Sequence, residues 1–291
     1  MSTWRGVEPP VYPPLGVMGW VRAGLRLALI LCLVYAGLLM FWLARFIELC
    51  AARRPKSGGP RSGGGRDQSY GSAQIVRLVS RGFFRLIGMG YRVTGTPMRA
   101  RGAVVANHSS WLDIFALNAC QQVIFVSKEE VARWPVIGGL AKAVGTVFIK
   151  RDPKEARAQQ EVFETHIDAG NRLVFFPEGT SSDSKRVLPF KSTLFAAFFT
   201  HHLKSVMHIQ PVSVVYHAPP NRPASFYGFW GDMGFAPHFA QVLGAGTQGS
   251  VDIIFHPPVK VEDFASRKDL SAHCEHQIRM GFDHAQQAAP Q

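Results

Sequence analysis

The sequence predicts an α/β fold, a mixed sheet covered by helices on both faces, with an N-terminal membrane-embedded helical segment. Three observations predict it. From about residue 90 onward, apolar runs of strand length alternate with longer stretches of helical period, the pattern of a sheet packed on both sides. Ahead of them, Leu27 to Ala44 is 18 residues without a charge, bounded by Arg22, Arg26 and Arg45. The charge is also divided. Residues 1–101 hold 15 Lys and Arg against 3 Asp and Glu, a surplus of 12 that equals the whole net charge of +12, whereas residues 102–291 hold 17 of each sign. A basic excess beside the most apolar stretch suits an anionic membrane surface.

Residues 1–20 are rich in Pro, Gly and aromatics and predict irregular chain. The apolar stretch at 27–44 suffices to cross a hydrocarbon core of ~30 Å, near the short limit; the same length suits a helix that enters one leaflet. A cleaved signal is disfavoured, because Arg45, Arg53, Arg54 and Lys56 follow the stretch and no small-residue cleavage site closes it. If the helix crosses, the heavier basic flank downstream places the following domain on the cytoplasmic side of the inner membrane. Residues 1–56 thus form an N-terminal segment, 57–72 (SGGPRSGGGRDQSYGS) a flexible linker by composition, and 73–291 the main domain. That domain leads with a basic, aromatic, amphipathic helix over 75–87, suited to a bilayer interface or to packing on the domain itself.

Strands are expected at Tyr91–Gly95, Ala103–Ala106, Val123–Val126, Thr146–Ile149, Arg172–Phe176, Ile209–Tyr216 and Val251–Phe255. Helices are expected at Leu112–Cys120, in short stretches at 129–133 and 137–143, from Asp152-Pro153 to Ala169, and at Ser192–Thr200 and Ser266–His284. At 291 residues the chain suffices for one catalytic domain with an appendage. Cys32, Cys50, Cys120 and Cys274 form no CxxC pair, so neither a disulfide framework nor a zinc site is indicated.

Chemistry concentrates in four segments. In Asn107-His108-Ser109-Ser110-Trp111-Leu112-Asp113, an imidazole and a carboxylate stand five residues apart just after an apolar strand. A His in that turn can face a cleft, and an Asp at the start of the next helix can reach back, fix the tautomer and leave the other ring nitrogen to accept a proton. A loop histidine near a dipole-matched aspartate would look the same in isolation. In Phe175-Phe176-Pro177-Glu178-Gly179-Thr180-Ser181-Ser182, a strand ends in a Gly turn followed by hydroxyls, a place where backbone can approach an anion closely. Gly145–Arg151 ends a strand with the adjacent cations Lys150 and Arg151. The fourth segment, Ile209-Gln210-Pro211-Val212-Ser213, says by itself only that a strand begins there.

Together and in this order, these segments resemble the four blocks of the glycerolipid acyltransferase family, which includes the 1-acyl-glycerol-3-phosphate acyltransferases; the likeness spans roughly residues 85–260. It implies that His108 is the general base toward a lysolipid hydroxyl, that Asp113 orients it, and that the alkoxide attacks an acyl thioester on acyl carrier protein or coenzyme A without a covalent acyl-enzyme. It implies that Lys150, Arg151, Glu178, Gly179 and Thr180 bind the acceptor headgroup, and that no metal or prosthetic group is needed. One departure bears on the acceptor. Where lysophosphatidate enzymes carry Glu-Gly-Thr-Arg, this chain has Ser181. The bidentate phosphate ligand is missing, with Lys185, Arg186 or Lys191 as substitutes nearby. The run 181–191 with Trp230–Met233 looks more like the bacterial lyso-ornithine lipid O-acyltransferases, whose acceptor carries an amino-acid headgroup and no phosphate; Ser181 then lines that headgroup site.

Rival classes fare worse. No G-x-S-x-G elbow supports a serine hydrolase. Gly244–Ser250 imitates a phosphate loop without its lysine and reads as a flexible turn. His273-Cys274-Glu275-His276 has no partner cluster for a metal. The basic residues flank an apolar helix rather than a nucleic-acid motif, so no nucleic-acid partner is expected. A membrane scaffold or acyl-carrier-binding protein remains as the non-enzymatic alternative, since it would keep the basic third but need no His108–Asp113 pair.

Overall fold

A computed structural model describes residues 4–52, 70–121, 123–128, 146–149 and 156–288. In chain order the elements are α1 (Val17–Ala52), α2 (Tyr70–Ile87), β1 (Gly90–Thr94), β2 (Gly102–Ala106), α3 (Asp113–Cys120), β3 (Ile124–Lys128), β4 (Val147–Ile149), α4 (Ala156–Asp168) and β5 (Arg172–Phe175). A 3₁₀ segment (Ser192–Phe199), α5 (His201–Val206), β6 (His208–His217), α6 (Phe235–Gly244), β7 (Ser250–Phe255), β8 (Val259–Lys260) and α7 (Arg267–Gln287) complete them.

The strands form one eight-stranded sheet in the order β1-β7-β6-β2-β5-β3-β4, with β8 paired to β6. β6 runs parallel to β2 but antiparallel to β7 and β8, so the sheet is mixed, as expected. Successive side chains of a strand point to opposite faces, and β2 divides its residues accordingly. Val104 and Ala106 join the core beneath α2 and α3, whereas Ala103 and Val105 join the core beneath the 3₁₀ segment and α7. All five residues of β2 are buried, which explains its unbroken apolar sequence. Ser266 caps α7 by accepting from the amides of Lys268 and Asp269.

The apolar stretch at 27–44 is the middle of a longer helix, α1, of 36 residues. Its first half is bolted to the domain. Arg22 and Arg26 donate to the carbonyls of Leu243, Gly244 and Ala245 at 2.7–2.8 Å, satisfying the open C-terminal end of α6 with cations where the helix dipole favours them. α2 packs along the middle of α1. A Cβ on Gly37 would lie 2.3 Å from Val79, and one on Gly82 would lie 2.9 Å from Leu33, so two glycines set the closeness of the pair.

Several elements differ from expectation. Tyr70–Ser72, assigned to the linker, begin α2. The expected helix at 192–200 is a 3₁₀ segment followed by α5. α6 was not expected, because Pro237 and its aromatic neighbours disguise a helix whose proline sits in the first turn, where the missing N–H costs nothing. Gly244–Ser250 is anchored rather than loose, with Gln248 bonded to both Tyr227 and Val242. The helices at 129–133 and 137–143, the start of the helix at 152–155, and Lys150 and Arg151 lie outside the described residues.

Candidate active site

His108 leaves the C-terminal end of β2, where the connections change direction: the chain goes to β3, β4 and β5 on one side and then to β6 on the other. Open α/β sheets bind ligands at such a point. Asp113 opens α3. The His108 Nδ1–Asp113 Oδ2 distance is 2.7 Å, with the imidazole about a quarter exposed and the carboxylate fully buried. A carboxylate accepts only, so Nδ1 carries the proton and Nε2 is left as the base. Phe176 stacks on the imidazole at 4.2 Å between centroids, fixing the ring plane from the side that Asp113 does not hold.

The carboxylate is locked in turn. Asp113 Oδ2 also accepts the amides of Ser109 and Ser110 at 2.9 and 3.1 Å, and Oδ1 accepts the Tyr216 hydroxyl at 2.7 Å. Burial, reinforced by the Asp113 charge, holds the Tyr216 phenol well above its ordinary range, so it stays a donor. Asn107 extends the β2–β6 pairing with its side chain: its Nδ2 donates to the Val214 carbonyl and its Oδ1 accepts the Val214 amide, both at 2.8 Å. Neither Asn107 nor Tyr216 was singled out from sequence. Tyr216 is visible there only as the polar-tipped aromatic ending an apolar strand.

Glu178 lies behind the base and not in the opening. It is 2% exposed; Oε1 accepts the His108 amide at 2.7 Å and Oε2 accepts the Leu188 amide at 3.0 Å. Burial pushes its carboxyl up to about 8 against the opposing pull of those amides. It brackets the end of β2 to the loop after β5. Gly179 takes φ of +71°, a left-handed turn that suits glycine. Thr180 is half-buried and accepts the Trp4 amide at 3.4 Å. The Ser181 hydroxyl donates to the Phe229 carbonyl, so a loop bracket occupies the position where an arginine was missing. Asp183, 2% exposed, holds the guanidinium of Arg186 with both oxygens at 3.3 and 3.1 Å. Ser182 donates its amide to the His108 carbonyl at 2.9 Å, tying this loop to the base.

A second buried layer supports Trp111. Its indole donates to His238 Nδ1 at 3.0 Å, and His238 Nε2–H donates to the Phe226 carbonyl at 3.1 Å. Burial pulls His238 down to about 4, keeping it neutral. The 273–276 stretch does not gather as ligands. Cys274 is in the core, while Glu275 accepts the Phe190 amide and Arg279. Phe195 and Phe198 are plain core around Phe175.

An imidazole held through Nδ1 by a buried carboxylate has its other ring nitrogen left to accept a proton, the arrangement a general base toward a hydroxyl requires. The comparisons agree: a family model for acyltransferases matches residues 91–215, and the chain belongs to this acyltransferase family and is an O-acyltransferase. It is 51% identical over 96% of both chains to a lyso-ornithine lipid O-acyltransferase of Rhodobacter capsulatus. It is 35% identical to one of Rhizobium meliloti, over 67% of this chain and 70% of that one. The crystal structure of a 1-acyl-sn-glycerophosphate acyltransferase from Thermotoga maritima shares the fold, with a TM-score of 0.62, 20% identity, and coverage of 93% of this chain and all of that one.

Proposed function

We propose that the chain moves a fatty acyl group from an acyl thioester to the hydroxyl of a lyso-ornithine-type aminolipid at the inner face of the cytoplasmic membrane. The His108–Asp113 contact of 2.7 Å, with the ring edge facing outward, carries the chemistry. His108 Nε2 takes the hydroxyl proton; the alkoxide attacks the thioester carbonyl; the carbon–oxygen bond forms as the carbon–sulfur bond breaks; and the imidazolium returns its proton to the leaving thiolate. The chain's own groups supply this proton traffic, and the reading calls for no metal or prosthetic group. The acceptor reading rests on the similarity to the Rhodobacter and Rhizobium enzymes and on Ser181, whose hydroxyl is committed to Phe229 where a phosphate-gripping arginine would stand. The alternative product is phosphatidic acid from 1-acyl-glycerol-3-phosphate. The donor is acyl carrier protein, whose acidity complements the basic N-terminal third.

The helix pair supports half-embedding over crossing. The middle of α1, at Leu33 and Gly37, lies against α2, and Arg81 of α2 donates to the Ala119 carbonyl at the end of α3 in the domain at 2.9 Å. The centre of the apolar stretch is therefore level with the domain. α2 itself carries Arg77, Arg81 and Arg85 in 18 residues, too many charges to follow α1 through a hydrocarbon core. The exposed surface of α1, including Leu39, Met40, Trp42 and Leu43, is apolar and suits insertion into hydrocarbon.

The test compares lyso-ornithine lipid with 1-acyl-glycerol-3-phosphate at equal concentration, using labelled acyl carrier protein as donor. Transfer to the aminolipid, lost in His108→Ala, is expected. Strong preference for the phosphate-bearing lipid overturns the acceptor reading.

A further inference from the structure

The chain ahead of α1 is strapped across the loop that carries the acceptor-side residues. The Trp4 amide contacts Thr180 Oγ1 at 3.4 Å, and the guanidinium of Arg186 lies over the Trp4 ring at 5.5 Å. Trp4 also packs on Trp230 at 6.4 Å between centroids, and the Trp230 indole donates to the Val7 carbonyl at 2.8 Å. Further along, Tyr12 crosses Phe226 edge to face, and Gln241 donates to the Pro13 carbonyl at 2.9 Å. Two glycines permit the course: a Cβ on Gly6 would lie 2.6 Å from the Trp4 ring, and Gly231, at φ +60°, takes Pro9 close against it. An irregular chain held at so many points is part of the architecture, and Trp4 meets the loop whose Ser182 holds the His108 carbonyl.

We propose that this strap forms one wall of the acceptor headgroup site, with Arg186, laid on Trp4, as the ligand for the headgroup carboxylate. The proposal rests on the aminolipid reading above and names the residues that recognise it. Arg186 has five N–H donors in a fixed fork, and Asp183 takes two of them. The remaining edge can grip a planar carboxylate, while the indole beneath fixes the guanidinium plane as a cation–π partner. The charge balance selects the ligand. Arg186 is already paired with a buried carboxylate, so a dianionic phosphate on its free edge would lie close to the Asp183 charge. A headgroup of ornithine attached through one amine keeps one carboxylate for the free edge of Arg186 and brings an ammonium of its own to offset the Asp183 charge. Arginine recognition is thereby moved from the position held by Ser181 to one five residues later.

The experiment uses full-length protein in detergent, with both acceptors and with a lyso-ornithine lipid whose carboxylate is converted to the carboxamide. In wild type the carboxamide raises the acceptor KM by about tenfold. Arg186→Gln raises the KM for lyso-ornithine lipid by about as much and no longer distinguishes the two forms. Gly6→Val, which displaces Trp4 without touching Arg186, gives a smaller rise of about threefold. Arg186→Lys recovers part of the loss, and kcat and the donor KM stay within twofold. Thermal melting of each variant shows that the fold is kept. An unchanged acceptor KM in Arg186→Gln and Gly6→Val, with wild type active on the aminolipid, overturns the strap assignment alone. A shift confined to the donor KM overturns it by moving the strap to the thioester. Wild type active only on the phosphate lipid overturns the acceptor reading and the carboxylate assignment with it.

Discussion

The Tyr216 hydroxyl sits 2.7 Å from Asp113 Oδ1, while His108 holds the other carboxylate oxygen at the same distance. The C-terminal end of strand β6 thus fixes the group that steers the base, across 103 residues of sequence. Tyr216→Phe keeps the ring in its buried slot and removes one donor from a buried carboxylate, a loss of about 1–3 kcal/mol. The carboxylate then has freedom to turn away from the imidazole. The expected result is a fall in kcat of about tenfold with the acceptor KM unchanged. A KM effect without a kcat effect would place Tyr216 outside the machinery.

Asp113→Asn replaces an acceptor by a group with donors, against two backbone amides and a phenol that all donate to it. The imidazole then loses the partner that keeps its proton on Nδ1. By analogy with other His–carboxylate pairs, the rate falls about 10³- to 10⁴-fold. His108→Ala removes the base and leaves no measurable transfer. Steady-state kinetics with a labelled thioester reads both, and Asp113→Asn at near-wild-type rate would refute the steering role.

Much of this frame is legible in the sequence. β2 is wholly buried and reads as an unbroken apolar run; α7 announces itself with a serine cap; His108 and Asp113 declare each other by spacing because the helix starts at Asp113 itself. What local sequence does not carry is long-range. Nothing local to Tyr216 says that its hydroxyl meets a residue 103 positions away, and nothing in Glu178 distinguishes a substrate ligand from a bracket between two amides. The strap was read as irregular chain, because its order comes from contacts with Thr180, Arg186 and Trp230 rather than from its own period.

Glu178 is expected to matter for folding before catalysis. Glu178→Gln turns one of its two acceptors into a donor facing a backbone amide, of His108 or of Leu188. A buried donor left facing a donor costs about 1–3 kcal/mol. Denaturation should show the loss directly, with transfer falling in parallel as the His108 amide loses its anchor. A variant as stable as wild type but unable to bind acceptor would reassign Glu178 as a headgroup ligand.

His238 predicts a pH dependence. Burial lowers its folded value to about 4 from an ordinary 6.5. Between those values the unfolded chain binds the proton and the folded chain does not, so stability rises with pH across that window. The contribution is fully present above about 6.5 and is lost as pH falls toward 4. It amounts to an order of 3 kcal/mol. Melting of wild type and His238→Leu between pH 4 and 7 checks this. The leucine variant is less stable at pH 7, having lost both hydrogen bonds, and the gap narrows on the acid side. A gap that widens there would contradict a neutral buried His238.

Two natural cysteines report how the helix pair meets the bilayer. Cys32 and Cys50 lie on α1 and are exposed, while Cys120 and Cys274 are buried. Cys32 falls within the apolar stretch, close to the level at which Leu33 meets Gly82 of α2; Cys50 falls near the C-terminal end of α1. The sequence that follows α1 carries Arg61, Arg66 and Asp67, charges that are costly in hydrocarbon. A helix lying in the inner leaflet keeps Cys50 at the cytoplasmic interface; because Arg22 and Arg26 hold the first half of α1 on the domain, a helix crossing from there would carry Cys50 to the other side, the reverse of the orientation that the basic flank predicts. An impermeant thiol reagent applied to Cys32→Ser in inverted membrane vesicles should label Cys50, and right-side-out vesicles should show little labelling. In Cys50→Ser, Cys32 should stay protected from either side until detergent is added. Labelling of Cys50 only in right-side-out vesicles would establish that α1 crosses.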